Sequence, residues 1–449
     1  MITRIEISGF KTFTDFAVDL APFTVIAGAN ASGKSNLLDA LRFLRELATK
    51  NHTSSIKARG GILQAFTKYG TDVTSDTIKI KADLLSPPTV NGVESLKYNR
   101  FSYEVALKLY VGHEDINAFE IISEKLSTIP AKSDKWSDKY LTLNQRREYL
   151  IPNDGEPAVL IHNFSTNNIN EDGTYQFGNF SGSLYWTALS ETTQSDDKHL
   201  RATYEAINSI DLLSLNDSRH FSNYYNGSRE PFNGSPILRQ IQHIKRTSGE
   251  MRYLSHRVSQ VIRDISSVDL YTDDFQRSTV TATDVLGGRY VADLLSEGTL
   301  RVIALAALVM QTNSGQSFLI EEPENGVDPR VLSKLLELLI EITSRTPNSK
   351  RGVDQVICTT HSPTLLQSAL NQQKDRIGIL VLLATKVTYL TTINGQRRKL
   401  PTTRMNEVVI SASEDNTAEP LTRYTLRQAM DYLNRLQLPD SLLKTAPDA

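Results

Sequence analysis

Residues 28–35 carry the strongest chemical signal in the sequence. They read Gly-Ala-Asn-Ala-Ser-Gly-Lys-Ser and match the pattern G-x-x-x-x-G-K-[ST] in full, with Gly28 and Gly33 at the two glycine positions. In such a loop, successive backbone N–H groups and a helix N-terminus bind anionic phosphates. Lys34 would add a cation beside the phosphates, and Ser35 would offer a hydroxyl to magnesium. The segment therefore predicts a phosphate-binding loop.

A pair of carboxylates at the end of an apolar run supplies the second candidate. Phe318–Ile320 is followed directly by Glu321 and Glu322, and the motif continues as Pro-Glu324 and then Asn325-Gly-Val-Asp-Pro. Adjacent positions at a strand end point in different directions, so one carboxylate can hold a metal while the other faces an attacking water. An acidic helix N-terminus would explain the same residues equally well on their own. The presence of a phosphate loop earlier in the chain favours the catalytic interpretation.

Two further motifs flank these carboxylates. Leu295–Arg301 begins a long apolar run, where Ser296 would cap a helix and thereby also form an anion site. His361 follows a second buried-type run, and a neutral imidazole there could hydrogen-bond a phosphate or a water molecule. An ordinary helix cap and a structural histidine are the alternative interpretations.

Particular elements are needed to position these motifs. Phe23–Ala27 reads as a buried strand and 36–48 as a helix, so the phosphate loop connects a strand to a helix. Later in the chain, helical and buried strand patterns alternate over Leu294–Val309, Ser317–Ile320, Val331–Ile342 and Gln355–Thr359. This order predicts an α/β fold with a mixed or parallel core sheet.

The remaining patterns divide the chain into four sections. Short alternating runs before residue 127 predict an antiparallel β subdomain, and Asn91-Gly92 marks a turn within it. Helix-like spacing is found over 197–216, 236–265 and 421–436, strand-like runs over 377–383 and 386–392, and irregular or linker composition over 128–195 and 412–420. We expect an N-terminal lobe over 1–127 and a partly helical insertion over 128–290. A C-terminal lobe should follow over 291–410, and a linker with a terminal helix over 411–449.

Composition excludes several classes of protein. The longest apolar run, Val302–Met310, is too short to span a bilayer, so no membrane association is expected. The single cysteine, Cys358, excludes an intramolecular disulfide framework and predicts a cytoplasmic protein. With a net charge of −2, contact with nucleic acid would require a local basic patch. Residues 236–265 offer one, with six Lys or Arg against two acidic residues, but a solvated helix face explains that stretch equally well.

Together these residues resemble the ABC-type ATPase heads of the SMC, RecF and OLD families. In particular they resemble bacterial stand-alone ATPases found in anti-phage defence operons. The resemblance identifies Gly28–Ser35 with Walker A, Glu321-Glu322 with Walker B and Leu295–Arg301 with the ABC signature, including Ser296 and Gly298. It also identifies Asp328 with the D-loop and His361 with the switch histidine. Asn30 and Asn36, on either side of Gly33, are typical of the SMC/RecF side of the group.

The resemblance implies an ATPase that uses ATP and Mg²⁺ and forms a head-to-head homodimer or a higher oligomer. One subunit would bind ATP, with Ser35 and Glu321 holding magnesium, and the partner's Ser296 would close over the γ-phosphate. Glu322 would polarise the attacking water and His361 would sense the γ-phosphate. The family often acts through a Toprim-type nuclease; because no Glu followed by an Asp-x-Asp pair occurs after His361, we expect a separate effector such as a nuclease or toxin. A RecF-like DNA repair ATPase and an ATP-bound scaffold with little turnover are the alternatives.

Two positions depart from the family pattern, and two more lack an assignment. Glu321 stands where most ABC proteins have Asp, and Glu297 stands where transporters have the second residue of Ser-Gly-Gly. Gln64 is the available candidate for the Q-loop, although it cannot be assigned. Arg59 would either contact nucleotide or be a solvated surface charge.

Overall fold

The computed structural model describes most of the chain, with gaps between the segments. It covers residues 1–49, 59–68, 74–90, 94–111, 117–155, 159–164, 174–177, 180–183, 187, 189–190, 197–213, 221, 236–247, 249–274, 278–310, 315–344, 353–393, 396–409 and 423–435. The predicted turn at Asn91-Gly92 and the predicted linker at 412–420 lie outside the described residues. Part of the segment 128–195 also lies outside them, but the expectation of irregular structure is wrong for the rest, which contains two short helices and strands such as Val159–Phe164.

The described strands and helices follow the order expected of a mixed α/β protein. The strands are β1 Ile2–Ser8, β2 Phe16–Asp19, β3 Phe23–Gly28, β4 Thr77–Leu85, β5 Thr89–Val90, β6 Glu94–Ser95, β7 Arg100–Val111, β8 Asn117–Thr128, β9 Val159–Phe164, β10 Thr174–Phe177, β11 Phe180–Ser183, β12 Ile210–Leu213, β13 Ile265–Thr272, β14 Ser278–Asp284, β15 Arg289–Val291, β16 Ser317–Glu321, β17 Gln355–Thr360, β18 Ile379–Ile393, β19 Gln396–Val409 and β20 Arg423–Thr425. The helices are α1 Lys34–Ala48, α2 Lys135–Tyr140, α3 Leu143–Tyr149, α4 Lys198–Asn208, α5 Pro236–Arg246, α6 Glu250–Val261, α7 Glu297–Val309, α8 Leu332–Ser344, α9 Pro363–Asp375 and α10 Leu426–Arg435.

The central sheet has the order β12-β16-β17-β3-β18-β19-β20 and is mixed. Its strands are parallel from β12 to β18, β18 and β19 are antiparallel, and β20 is parallel to β19. Strands β3 and β17 are buried along their whole length, which explains the apolar runs Val25–Ala27 and Val356–Cys358 at their centres. The predicted mixed or parallel core sheet is confirmed, and all four predicted sections contribute strands to it.

A second sheet is antiparallel, with the order β2-β1-β4-β7-β8-β9. Burial alternates along β1 and β4, as expected for strands with one covered face. This sheet is the predicted antiparallel β subdomain. Its buried residues form one hydrophobic cluster with helix α1 and Ile26, whereas the neighbouring residues Val25 and Ala27 belong to a second cluster with helix α7. Alternate side chains of β3 therefore serve different cores.

Several elements differ from their predicted bounds. The helix-like run 197–216 splits, because Ile210–Leu213 forms β12 and pairs with Ser317–Ile320 of the central sheet. The run 236–265 divides into two helices near Gly249, which has a φ of +85°. The two strand-like runs of the tail form one strand, β18, which pairs with β19, and β20 replaces the start of the predicted terminal helix. Among the described helices, none is both long and apolar enough to cross a membrane.

Candidate functional site

The carboxyl ends of three parallel strands bring the predicted motifs together. In the register of the central sheet, Thr359 of β17 pairs with Glu321 on one side and Ile26 on the other. The loops that follow β3, β16 and β17 therefore leave from the same edge of the sheet. In open α/β sheets, ligands bind at this edge.

The phosphate loop, Gly28–Ser35, has a backbone that requires its glycines. Gly33 precedes helix α1 with a φ of +99°, and a Cβ atom there would lie 2.0 Å from Thr403 Oγ1. At Gly28, a Cβ atom would lie 2.7 Å from the carbonyl oxygen of Ala384. Since a glycine N-cap has no side chain to bind the first-turn N–H groups of α1, those groups are available to an anion.

Lys34 lies within this loop and is buried, with 5% of its surface exposed. Its Nζ donates hydrogen bonds to the carbonyl oxygens of Gly28 and Ala29, at 2.8 Å and 2.7 Å. Burial lowers the pKa of Lys34, and the nearby carboxylates of Glu322, Glu324 and Glu321 partly oppose that shift. The same electrostatic contacts show that the loop and the predicted Walker B carboxylates are neighbours.

A chain of hydroxyl groups braces the phosphate loop from behind. Asn36 donates from Nδ2 to Thr12 Oγ1 at 2.9 Å, and Thr12 Oγ1 lies 2.8 Å from Thr403 Oγ1. Thr403 in turn donates to the carbonyl oxygen of Ser32 at 3.1 Å. Thus Asn36 is engaged by Thr12, whereas Asn30 and Ser35 are exposed.

Glu321 and Glu322 occupy a strand end and a turn, so the acidic helix start is wrong for these residues. Glu321 ends β16 with its side chain exposed, and the next α-helix begins only at Leu332. Glu322 has a left-handed backbone with a φ of +43°. Because that conformation costs a non-glycine residue about 1 kcal/mol or more, it must be held by its surroundings.

Both backbone groups of Glu322 are held. Its N–H donates to the carbonyl oxygen of Thr359 at 3.1 Å, and its carbonyl accepts a hydrogen bond from the buried guanidinium of Arg301. The carboxylate accepts a hydrogen bond from Asn325 Nδ2 at 2.7 Å and lies 3.2 Å from His361 Nδ1. Burial raises the pKa of Glu322, but Asn325, His361 and Lys34 outweigh that effect and hold it below its usual value. The carboxylate is therefore ionised at neutral pH.

Ser296, Gly298 and Asp328 form a second cluster, which we call the signature groove. Ser296 caps α7 by accepting a hydrogen bond from the Thr299 N–H at 3.2 Å. A Cβ atom at Gly298 would lie 1.9 Å from the carbonyl oxygen of Gly326, so this glycine is required for the close contact between the two loops. The groove has a volume of about 600 Å³, and no residue of the phosphate loop lines it.

Sequence reasoning left several contributing residues without a role. Glu324, Asn325 and Arg301 stand inside the motifs already quoted, and their positions there were the available signal. Thr12 and Thr403 lie far from those motifs in sequence, so local patterns carried no signal for them.

Arg59 and Gln64 serve structural contacts. The Arg59 guanidinium donates to Asp39 and to Glu46 on helix α1, with distances of 2.6 Å to each carboxylate. Its side chain is 8% exposed, so it is neither a solvated surface charge nor free to reach a nucleotide. Gln64 is exposed and accepts a hydrogen bond from Lys68 at 2.9 Å.

The basic stretch 236–265 is partly neutralised by carboxylates outside it. Arg257 pairs with Glu341, and Lys245 pairs with Asp269. The other four cations of the stretch are exposed: Arg239, Arg246, Arg252 and Arg263.

The oxygen donors of the site suit magnesium bound together with phosphate. Among the residues that the structure describes, no cluster of three or more His, Cys, Asp or Glu side chains could hold a metal alone. Ser35 and Glu321 offer an exposed hydroxyl and an exposed carboxylate next to the phosphate loop. Magnesium commonly binds through one or two protein oxygens, substrate phosphates and water, and this donor set fits that habit.

Comparison with known proteins places the chain in a family. A 50-residue segment is 54% identical to the chromosome partition protein Smc of Synechocystis sp.; it covers 11% of this chain and 4% of that protein, so the chain matches only a small part of its relative's length. The SMC head bound to the C-terminal winged-helix domain of ScpA is 15% identical over 92% of this chain and 98% of that one, with a TM-score of 0.48. The SMC head domain of Thermotoga maritima is 13% identical over 90% and 98% of the two chains, with a TM-score of 0.36.

The family match covers most of the chain, from residue 23 to residue 367. That range includes the phosphate loop, the signature groove, Glu321, Glu322 and His361. It confirms the expected ABC-type ATPase of the SMC/RecF-like group at the level of the family, whereas the association with anti-phage defence stays a prediction. The chain belongs to the ATPase family described as AAA domain, putative AbiEii toxin, Type IV TA system.

Proposed function

We propose that this protein binds and hydrolyses ATP with Mg²⁺, dimerises around the bound nucleotide and thereby controls a separate effector protein. One observation carries the proposal: the phosphate loop and Lys34 lie beside the Glu322–His361 contact at the carboxyl edge of the central sheet. A phosphate cradle next to an ionised carboxylate is the arrangement that phosphoryl transfer to water requires.

Each residue of this edge has a distinct role in the proposed reaction. The phosphate loop binds the β- and γ-phosphates through its N–H groups, and Lys34 neutralises part of their charge. Ser35 and Glu321 hold magnesium, which when bound adds positive charge at the phosphate oxygens. Glu322 orients and polarises the attacking water, and His361 contacts the γ-phosphate or that water.

The signature groove supports the proposed dimer. Ser296, Gly298 and Asp328 lie on one groove of the chain, and none of the phosphate-loop residues lines that groove. The exposed Ser296 at the N-terminus of α7 is suited to an anion presented from outside the chain. In a head-to-head dimer, this groove would close over the nucleotide bound by the partner, so two chains would complete two sites.

The effector is the least constrained part of the proposal. The family description names a putative toxin and a type IV TA system, which supports a role in a toxin–antitoxin system without identifying the effector. A RecF-like DNA-binding ATPase is the second candidate, and the four exposed arginines of 236–265 favour it. The predicted cytoplasmic location and the role in anti-phage defence belong to the same proposal.

ATP turnover and molecular mass, measured together, test the core of the proposal. Wild type and Glu322→Gln are compared by phosphate release and by light scattering, with and without ATP, Mg²⁺ and duplex DNA. We expect wild type to hydrolyse ATP and Glu322→Gln to lose turnover by roughly 100-fold or more, because the water-polarising carboxylate is gone. The variant should nevertheless bind ATP and accumulate as a dimer.

The outcomes separate the alternatives. If wild type binds ATP without measurable turnover, the scaffold interpretation replaces the enzyme. If duplex DNA stimulates turnover strongly and no partner protein is engaged, the RecF-like candidate is favoured. If neither protein changes mass with ATP, the proposed dimerisation is wrong.

A further inference from the structure

Glu324 is a buried carboxylate at the centre of the site, with 7% of its surface exposed. Its Oε1 accepts two hydrogen bonds, from the Thr360 hydroxyl at 2.5 Å and from the His361 backbone N–H at 3.1 Å. Its Oε2 is also buried and has no hydrogen-bond partner among the described residues. Burying a carboxylate is unfavourable unless its contacts compensate, so this residue requires an explanation.

The imidazole of His361 lies between two carboxylates. Its Nδ1 is 3.2 Å from Glu322 Oε1 and 3.6 Å from Glu324 Oε1. Nδ1 is buried and forms no hydrogen bond among the described residues, so the two carboxylates face it through proximity and charge. The side chain is 42% exposed, so Nε2 remains for a group outside the protein.

A single oxygen atom, Glu324 Oε1, therefore contacts both the backbone and the ring of His361. The backbone hydrogen bond fixes where the residue leaves β17, and the negative charge of the carboxylate favours the ring orientation in which Nδ1 faces it. Burial lowers the pKa values of Lys34 and Arg301, and the charge of Glu324 is among those that partly oppose this shift at both residues.

We propose that Glu324 is a positioning residue for the ATPase reaction: it holds His361 with Nδ1 against Glu322, so that Nε2 faces the nucleotide. The inference rests on the proposed function, because His361 acts on phosphate or water only if ATP is hydrolysed here. Glu324 itself does not touch the substrate. It acts through the orientation of His361, in the way that a carboxylate orients a ligating or catalytic histidine.

A double-mutant cycle tests whether Glu324 acts through His361. The kcat and KM for ATP are measured for wild type, Glu324→Gln, His361→Ala and the double variant. Glutamine keeps an oxygen that can accept from Thr360 and the His361 N–H, but it removes the charge that faces Nδ1. We expect Glu324→Gln to lower kcat roughly 10- to 100-fold with KM changed less than about twofold. In the His361→Ala background, the same substitution should have no further effect.

Thr360→Val and Thr360→Ser provide a matched pair that leaves Glu324 in place. Valine removes the hydroxyl that Oε1 accepts from, whereas serine keeps it. We expect Thr360→Val to lower kcat in the same direction as Glu324→Gln, and Thr360→Ser to restore it. This pair decides the question if the Glu324 variants do not fold, as judged from their thermal melting.

Three results would overturn the inference. The first is wild-type kinetics in Glu324→Gln and Thr360→Val. The second is a double variant whose fold-loss of kcat equals the product of the two single losses. Such independence would mean that Glu324 does not act through His361 and has a merely structural role. The third is a raised KM at constant kcat. By contrast, if wild type shows no ATP turnover, the proposed function itself is overturned. If wild type and Glu324→Gln hydrolyse ATP equally well and only Glu322→Gln does not, the role of Glu324 alone is overturned.

Discussion

Glu322 keeps a left-handed backbone because several neighbours hold it from different parts of the chain. Thr359 accepts from its N–H, Arg301 donates to its carbonyl, and Asn325 donates to its carboxylate. Each contact fixes a different atom of the same residue. The direction of this carboxylate is thus determined by the protein before any substrate binds, which is the condition for electrostatic preorganisation.

Lys34 is the residue whose removal should separate nucleotide binding from folding. Lys34→Met deletes a buried ammonium that would contact phosphate, and a charged hydrogen bond of about 2 kcal/mol corresponds to roughly a 30-fold rise in the Kd for ATP. Wild type should show a higher melting temperature with ATP and Mg²⁺, and the variant should show little increase. Differential scanning fluorimetry measures both.

Lys68→Met is the matched control, because Lys68 is exposed and contacts Gln64 rather than the phosphate loop. Its ATP-dependent rise in melting temperature should equal that of wild type. An equal rise in Lys34→Met would contradict the assignment of the phosphate loop.

Among the residues of the candidate site, the sequence predicted those that belong to a motif with a characteristic spacing. Gly28, Lys34 and Glu322 were accessible because strand, loop and helix patterns surround them. Thr403 was not, since its contact with the phosphate loop joins residues more than 350 positions apart and depends on the strand pairing of β18 and β19. Glu324 was visible as a letter of the motif, but its burial was not.

Helix α1 is anchored to the antiparallel lobe by charged contacts. Arg59 reaches Asp39 and Glu46 on its surface, and Lys11 reaches Asp39 at 2.6 Å. The phosphate loop precedes this helix directly, so the same contacts help to fix the direction of the helix N-terminus.

Arg59→Ala should destabilise the fold without weakening ATP binding. Removing one partner of a buried ion pair leaves its carboxylates uncompensated, and we expect a loss of about 3 kcal/mol in the free energy of unfolding. Arg42→Ala, at a half-exposed partner of Glu46, should cost less than about 1 kcal/mol. Urea unfolding measures the free energy of unfolding of both variants. A raised Kd for ATP in folded Arg59→Ala would instead support a contact between Arg59 and the nucleotide.

The acid dependence of this effect follows from Asp39. Burial raises the pKa of Asp39, but Arg59 and Lys11 outweigh it and hold the value below the usual 3.8. A lowered carboxyl pKa stabilises the fold above the unfolded-state value and ceases to do so as the pH falls through the folded-state value. The difference in stability between wild type and Arg59→Ala should therefore be constant near neutral pH and shrink below about pH 4.

Helices and strands could be predicted where the hydrophobic periodicity and the length of the run indicated the same type of element. They could not be predicted where pairing with another strand determines the conformation. The strands β3 and β17 and the helices α1 and α7 lie within a few residues of their expected bounds. Strand β12 was read as helix because a four-residue strand has too few positions to show alternation, and its conformation is set by pairing with β16.

For the whole molecule, the proposed dimer predicts that one chain alone completes neither nucleotide site. Helix α7 presents Ser296 to the signature groove and Arg301 to the carbonyl of Glu322. A partner bound at the groove would therefore act on an element that directly contacts the proposed catalytic residue.

Mixing two inactive variants should restore activity. In a heterodimer of Lys34→Met with Ser296→Arg, one site combines the intact phosphate loop of one chain with the intact signature of the other. Half of the dimers in an equal mixture carry one such site, so we expect about a quarter of wild-type turnover if the two sites work independently. Phosphate release from the mixture measures it.

The control is a chain that carries both Lys34→Met and Ser296→Arg. It is mixed with wild type or with either single variant at the same total concentration. It should add no activity to Lys34→Met or to Ser296→Arg. A mixture of the two single variants no more active than its components would contradict the shared sites.

The position of β3 in the central sheet has a consequence for biosynthesis. Its two neighbours in the sheet, β17 and β18, begin only at Gln355 and Ile379, so more than 300 residues of chain separate β3 from the strands it pairs with. Because this intervening chain must be translated before β3 can pair, the phosphate loop has no supporting strand until then. Such non-local pairing slows folding and leaves an apolar strand exposed to other chains. In a nascent chain the phosphate loop would thus gain its supporting strands only after β17 and β18 have been translated, and chaperone binding would matter most during that interval.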